Sequence, residues 1–391
     1  MRVCIIINCA KKRTYKVCAI YFMGVFAVEF IKKNIILCIA ALAAVITSFI
    51  VPPDREYLGY FDFKTLTCLF CTLATVCAFG NINFFRIVAK KIVSVFKTIR
   101  TAVIALVYIT FIGSMLIAND MALITFLPLG FYVLKSTNNE KYMAFTFIMQ
   151  NISANLGGML TPFGNPQNLY LYTYYNISNA EFVKIMLLPF IVSILLITLC
   201  CFTLPKEELV LNKKQGMELN VSRTIAYSIL FALSIAIVFR TIPYYWGLII
   251  IIPVLLILDR DALKDVDYPL LLTFCAFFVF AGNMARIPAV NNFLGNIIEK
   301  NTLLYGVLSC QVISNVPSAI LLSKFTENYP QLLVAVNIGG AGSLIASLAS
   351  LITFKEYAKR EPNNLVGYLK SFSLYNFGIL IILFAVMSFV F

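Results

Sequence analysis

Asn155-Leu156-Gly157-Gly158-Met159-Leu160-Thr161-Pro162-Phe163-Gly164-Asn165-Pro166-Gln167-Asn168 is polar and helix-breaking, yet it lies between two strongly apolar segments. Three glycines and two prolines within fourteen residues would break any helix, because proline removes a donor and clashes with the preceding turn while glycine costs backbone entropy. Unwound backbone at membrane depth is tolerated only where it is buried in protein or lines a wet cavity. The break therefore points to a binding site. A second copy follows. Asn337-Ile338-Gly339-Gly340-Ala341-Gly342-Ser343 and its continuation to Ser350 align with the first stretch without a gap, setting Gly157/Gly158 on Gly339/Gly340 and Thr161 on Ser343. The two stretches read as the paired broken helices of a secondary transporter.

Composition bounds the class. Hydrophobic residues make up 61% of the chain and charged residues 13%, whereas charge runs near a quarter (about 25%) in a soluble domain. The chain reads as a polytopic membrane protein. The formal charge of +13 sits in short clusters between apolar spans, where the preference of basic residues for the inner side explains it. No basic, aromatic-interleaved soluble face exists to carry nucleic acid. The eleven cysteines are scattered through apolar stretches and histidine is absent, so buried small hydrophobes are expected rather than a zinc site or a disulfide framework. No phosphate loop, H-E-x-x-H or G-x-S-x-G motif is found, and an enzyme is not expected.

Along the chain, residues 1–33 read as an N-terminal extension, with Met23 as an alternative start and Glu29 in a short apolar run. Residues 34–204 read as transmembrane repeat 1, 205–223 as a cytoplasmic linker and 224–391 as transmembrane repeat 2. Each repeat orders its elements alike: spans, an amphipathic piece (83–100 and near 291–298), a hairpin, a broken helix and a closing span. Asp62 opens one repeat as Asp267 opens the other. The hairpins carry Ala118-Asn119-Asp120 and Ser314-Asn315-Val316-Pro317-Ser318 at their tips. Each arm of the first is marginal for a bilayer core of about 30 Å, so a re-entrant hairpin and two spans are equally good readings. With residues 83–100 inside, seventeen Lys and Arg beyond the extension fall on the inner side against seven outside or in spans. That asymmetry suits an inner membrane and gives the repeats opposite topology. The expected fold is thus an all-α polytopic membrane protein of two inverted-topology repeats, each with a re-entrant hairpin and a broken transmembrane helix.

Inverted repeats place substrate and coupling ions near the midplane. Broken helices offer free amides and free carbonyls there without needing formal charge. Asn119, Asn155, Asn168, Asn315 and Asn337 supply donors and acceptors, and Thr161, Ser314, Ser318, Ser343 and Ser347 supply hydroxyls. An acid at bilayer depth costs at least about 2.5 kcal/mol on insertion scales. Asp120 is therefore expected to bind sodium or to cycle a proton. Arg240 and Arg286, at the ends of spans, are expected to snorkel.

The motif Asn-Leu-Gly-Gly-x-x-Thr-Pro-x-Gly-Asn-Pro-Gln-Asn, with the two tips, resembles the signature regions of the ion transporter superfamily with citrate-transporter-like domains. That group includes divalent-anion/sodium symporters, arsenite efflux permeases and a sodium/proton antiporter branch. The likeness covers about residue 34 to the end. It implies a homodimer whose protomers carry substrate between the hairpin tips, with sodium sites framed by Asn119 and Gly157/Gly158 and by Asn315 and Gly339/Gly340. Two departures bear on substrate: the symporters' Ser-Asn-Thr tip is here Ala118-Asn119-Asp120, and the second tip reads Ser314-Asn315-Val316. A carboxylate beside the site would repel a dicarboxylate, and Asn-Asp is closer to the arsenite and antiporter branches.

The expected function is secondary active transport of a small anion, a carboxylate or an inorganic oxyanion, coupled to sodium or protons, in a multi-pass inner or plasma membrane protein with lipid around it. An arsenite-type efflux permease or a sodium/proton antiporter is the alternative, and a membrane-embedded enzyme a remote one. Substrate contacts are expected from Asn119, Asp120, Thr161, Asn165, Asn168, Ser314, Asn315, Pro317, Ser318, Ser343 and Ser347, and ion contacts from Asn119, Asp120, Gly157, Gly158, Asn315, Gly339 and Gly340. No cofactor beyond the coupling ion is expected.

Overall fold

Apolar runs punctuated by capping residues set the helices. The computed structural model describes residues 34–93, 95–208 and 219–391; the extension 1–33, with Glu29, and the middle of the linker lie outside the described residues. The first half comprises α1 (Ile35–Ile50), α2 (Phe63–Asn81), α3 (Phe84–Val93), α4 (Ile99–Ile117), α5 (Asn119–Ser136), α6 (Met143–Gly157), α7 (Pro166–Tyr174) and α8 (Asn179–Phe202). Beyond the linker come α9 (Val221–Val238), α10 (Tyr245–Leu258), the short α11 (Arg260–Lys264), α12 (Tyr268–Arg286), α13 (Pro288–Lys300), α14 (Thr302–Ile313), α15 (Asn315–Leu322), α16 (Tyr329–Ile338), α17 (Leu348–Ala358) and α18 (Leu365–Ser388). The protein is all-helical, and among the described residues six helical stretches are long and apolar enough to cross a membrane. It is a multi-pass membrane protein.

Side-chain caps explain half of the starts. Asp62 accepts from the Thr65 amide at 3.0 Å and Asp267 from the Leu270 amide at 2.9 Å, so α2 and α12 open with the same device. One expectation is corrected here: the amphipathic helix over 83–100 is shorter, ending at Val93. Thr98 and Thr101 close a capping box that starts α4 anew, which ends any continuation from α3.

Both tips are sharp turns between paired helices. Ala118 turns the chain at φ 63°, ψ 154° and Ser314 at φ 74°, ψ 158°, both in a region where a side chain is rarely found. In the first hairpin Gln150 donates to the Thr110 hydroxyl at 3.0 Å and the Phe126 carbonyl at 3.1 Å, tying both arms to α6. The second hairpin's return arm, α15, has eight residues, about 12 Å of helix, which is too short to cross.

Packing interleaves the halves. Within each half two paired helices and the helix leading into the break pack together: α4, α5 and α6, and again α14, α15 and α16. Past each break the chain crosses over. α7 packs on α15 and α16 of the second half, while α17 packs on α5 and α6 of the first. The spans are exchanged too, α1 lying along α12 and α2 along α9 and α10. At the first of these interfaces Asn283 donates to the Thr47 and Ser48 hydroxyls at 3.2 and 3.3 Å. Interhelical hydrogen bonds of this kind average about 0.6 kcal/mol in membranes. Asn283→Leu should therefore change stability in detergent by no more than about 1 kcal/mol, read as a small shift in the melting midpoint.

Basic segments gather at one end. Arg100 donates to the Leu204 carbonyl, Lys141 pairs with Glu207, and Arg360 stacks 4.6 Å from the Phe131 ring. Asn81 and Tyr227 both donate to Asp259, so the region around α11 lies beside the C-terminus of α2. The opposite end is held otherwise: Arg286 pairs with Asp54 at 2.6 Å and Glu56 at 3.3 Å. That guanidinium holds the Asp54 carboxyl below its usual range.

Candidate functional site

Helix breaks leave amides and carbonyls without partners, and asparagines answer them. α6 ends at Gly157, a single 3-10 turn covers Gly158–Leu160, and α7 restarts at Pro166. α16 ends at Ile338, Gly339–Ala341 form the matching turn, and α17 restarts at Leu348 behind the cap Ser347. Asn165 stands where Ser347 stands but does not cap its own helix. Its side-chain amide reaches across to the Asn337 oxygen and the Asn155 carbonyl, each at 3.3 Å. Asn337 in turn donates to Asn168 at 2.6 Å and to the Leu333 carbonyl at 2.7 Å. Asn168 closes the network by donating to carbonyls of Gly158, Met159 and Thr161. The two breaks are thus one buried structure. Asn337→Ala would strand the Asn168 oxygen and weaken the hold on Asn165, at about 1–3 kcal/mol for each buried group left unpaired. A clear drop in melting temperature is expected, with Asn337→Asp not rescuing it.

Hydroxyls fasten breaks to hairpins. Thr161 donates to the Met115 carbonyl at 2.9 Å and Ser343 to the Gln311 carbonyl at 3.1 Å, acceptors that lie four residues before Asn119 and Asn315 respectively. Gln311 adds a brace that Met115 cannot, donating to the Gly339 carbonyl at 2.8 Å and accepting from the Ser343 amide at 2.7 Å. Each tip asparagine also stiffens its own turn. Asn119 accepts from the Asp120 amide at 3.0 Å and Asn315 from the Val316 amide at 2.9 Å. Asn119 donates to Asn155 at 3.4 Å, linking the first tip to the central network.

Both tips face one cavity of about 140 Å³, lined by Asn119, Asp120, Ser314, Asn315, Val316 and Pro317 together with Asp267, Thr273, Leu348 and Lys355. A smaller pocket of about 70 Å³ adjoins it and shares Asn119, Asp120, Asp267, Leu270 and Leu348. Asp120 stands between the two, its Oδ1 buried without a hydrogen-bond partner. Exposed Asp267 and Lys355 place the cavity at the basic end of the molecule.

Of the expected substrate contacts, Asn119, Asp120, Ser314, Asn315 and Pro317 reach the cavity wall. Thr161, Asn165, Asn168, Ser318, Ser343 and Ser347 do not line it. Gly157 lets α4 come close, a Cβ there lying 2.6 Å from Ser114 Oγ, and Gly158 lets the break fold on itself, a Cβ there lying 2.5 Å from Asn165 Oδ1 and 2.8 Å from the Gly164 carbonyl. Gly339 and Gly340 sit against Cys310 and Asn315 of the second hairpin. Asp267 and Lys355 were not among the expected site residues, although the recurrence of Asp267 with Asp62 marked it as a repeat start. Gln311 was also missed. A lone glutamine in an apolar arm four residues before a tip was its signal.

The profile of the citrate transporter family matches residues 22–331. The chain belongs to the citrate transporter family. Related proteins agree: an uncharacterized transporter of Methanocaldococcus jannaschii is 35% identical over 306 residues, covering 77% of this chain and 82% of the relative. The Escherichia coli inner membrane protein YbiR is 30% identical over 320 residues, covering 79% and 84%. An uncharacterized transporter of Haemophilus influenzae is 27% identical over 233 residues, 54% of this chain and 49% of the relative. As a citrate transporter family member the chain is a membrane transport protein.

Proposed function

We propose that this citrate transporter family member is a secondary active carrier of a small anion, a carboxylate or an inorganic oxyanion, coupled to sodium or protons and working by alternating access between inverted repeats. The observation that carries the reading is the meeting of two matched tips, turned at Ala118 and Ser314, on one cavity. Amides and hydroxyls there suit an anion, and the free carbonyls at the broken helix ends suit a sodium ion near Asn119 and Asn315. The cavity is smaller than the ~300 Å³ typical of drug-sized ligands, which favours a compact solute. Its opening on the basic end corresponds to the inward-facing state of the cycle. A homodimer is part of this reading.

Asp120 and Asp267 on the same wall favour a second reading, cation/proton exchange. Proteoliposome flux separates the two. Movement of one labelled carboxylate or oxyanion driven by a sodium or pH gradient supports anion transport. Proton release on sodium addition with every anion absent from the panel would replace it with exchange, and no flux of either kind would sink both.

A further inference from the structure

The two spaces at the tips differ in character. Carbon makes most of the wall of the smaller one: Leu69 and Leu73 from α2, Phe163 and Leu169 from the first break and α7, and Leu348 and Ile352 from α17. The first four of these side chains are buried. Leu69 and Leu73 are four residues apart, as are Leu348 and Ile352, so each pair stands on one face of its helix. α17 turns the same face to the larger cavity, which takes Leu348, Leu351 and Lys355 at spacings of three and four. Leu348 therefore stands at the seam, and Lys355 lies seven residues on, about 10 Å along the helix.

Charge on these walls is uneven. Among the described residues Lys355 is the one cation on either wall, exposed and in no ion pair. The two acids, Asp120 and Asp267, line both spaces. Asp267 is also the cap of α12, and Asp120 Oδ1 is buried without a hydrogen-bond partner. In the larger cavity the head of a ligand finds one ammonium charge and the side-chain amides of Asn119 and Asn315. Its far end, reaching past Asp120 into the smaller space, meets carbon walls and carboxylates but no cation, and so must be uncharged. A tricarboxylate would set its further charges against the acids, and an inorganic oxyanion would leave the apolar space unused.

We propose that the smaller space is an apolar subsite for the hydrocarbon end of a short-chain monocarboxylate, whose head lies in the larger cavity against the tip asparagines and under the charge of Lys355. The subsite rests on the reading of the chain as an anion carrier and narrows it to one substrate class. Its volume of about 70 Å³ is near half the ~150 Å³ of an apolar cavity that takes benzene, which leaves room for about three carbons. The purified chain in uncharged detergent is titrated with acetate, propionate, butyrate, hexanoate, citrate and sulfate at fixed pH, sodium and ionic strength, following thermal stability. The half-saturating concentration should fall about fourfold per methylene from acetate to butyrate and rise again at hexanoate. Citrate and sulfate should bind more weakly than butyrate. Leu73→Ala should enlarge the subsite and let hexanoate overtake butyrate. Lys355→Gln, at an exposed position, should weaken every acid by a similar factor, roughly threefold or more, and keep the trend with chain length.

A flat response along the series, or a trend untouched by Leu73→Ala, would overturn the subsite. So would the same trend in ethanol, propanol and butanol, because the chain would then bind without its head. Tighter binding of citrate or sulfate than of butyrate would overturn it while leaving the anion reading standing. Stabilisation by sodium with no response to any anion in the set would sink the carrier reading, and the subsite with it.

Discussion

Gly157→Ala is expected to abolish transport and lower the melting temperature, whereas Gly340→Ala should leave the fold standing and strike the ligand site. A Cβ on Gly157 would overlap the Phe111 carbonyl oxygen and come within 2.6 Å of Ser114 Oγ. Backbone cannot rotate away as a side chain can, so α4 itself must shift, at a cost of about 1–3 kcal/mol for overpacking. That shift would carry Met115 away from Thr161 and displace Asn119 from the tip. At Gly340 the new Cβ would meet Asn315 Nδ2 at 3.0 Å and Asn155 Oδ1 at 3.7 Å. Side chains yield there, so the protein folds, but the Asn315 amide is pushed from its place beside the cavity. Substrate or ion affinity should weaken roughly tenfold or more, the worth of a contact to a charged group. Thermal melts and reconstituted flux together check the pair. Native flux in both variants would mean that the glycine breaks do not set the site.

Asp120→Asn should separate function from stability by moving them in opposite directions. The substitution keeps size and removes a charge whose Oδ1 is buried and unpartnered. Stability should hold or rise, because a charge at membrane depth costs about 2.5 kcal/mol or more. Gradient-driven flux should fall sharply, and the residual flux should no longer respond to pH or sodium. A variant with native flux and unchanged response to both ions would remove Asp120 from the coupling scheme. One that loses flux yet keeps its sodium response would assign Asp120 to protons alone.

Much of the architecture was legible because membranes restrict the options. The polar, glycine-rich stretches at 155–168 and 337–350 had to lie inside protein, and the asparagines of both breaks are buried there. The tips were found for the same reason, since asparagine beside serine or aspartate interrupts arms that are otherwise apolar. Residue type did not reveal which polar groups were already engaged. Thr161 and Ser343 looked like ligands to a solute, yet their hydroxyls hold the hairpins. Asn165, expected as a substrate contact, is a cross-link between the two breaks. Arg240, expected to snorkel, is turned inward onto Tyr172. In each case the deciding partner is remote in sequence, and spacing carries no record of it.

The lodging of α1 against α12 has a consequence for biosynthesis. Asn283 reaches Thr47 and Ser48 across more than half the chain, so α1 enters the bilayer long before its partner leaves the ribosome. Its hydroxyls wait without penalty, because Thr47 bonds the Ala43 and Ala44 carbonyls and Ser48 the Ala44 carbonyl of the same turn. Helix α1 can therefore be held in lipid as a finished, self-satisfied unit. Final assembly of the first half is a post-insertion event, timed by the synthesis of the second.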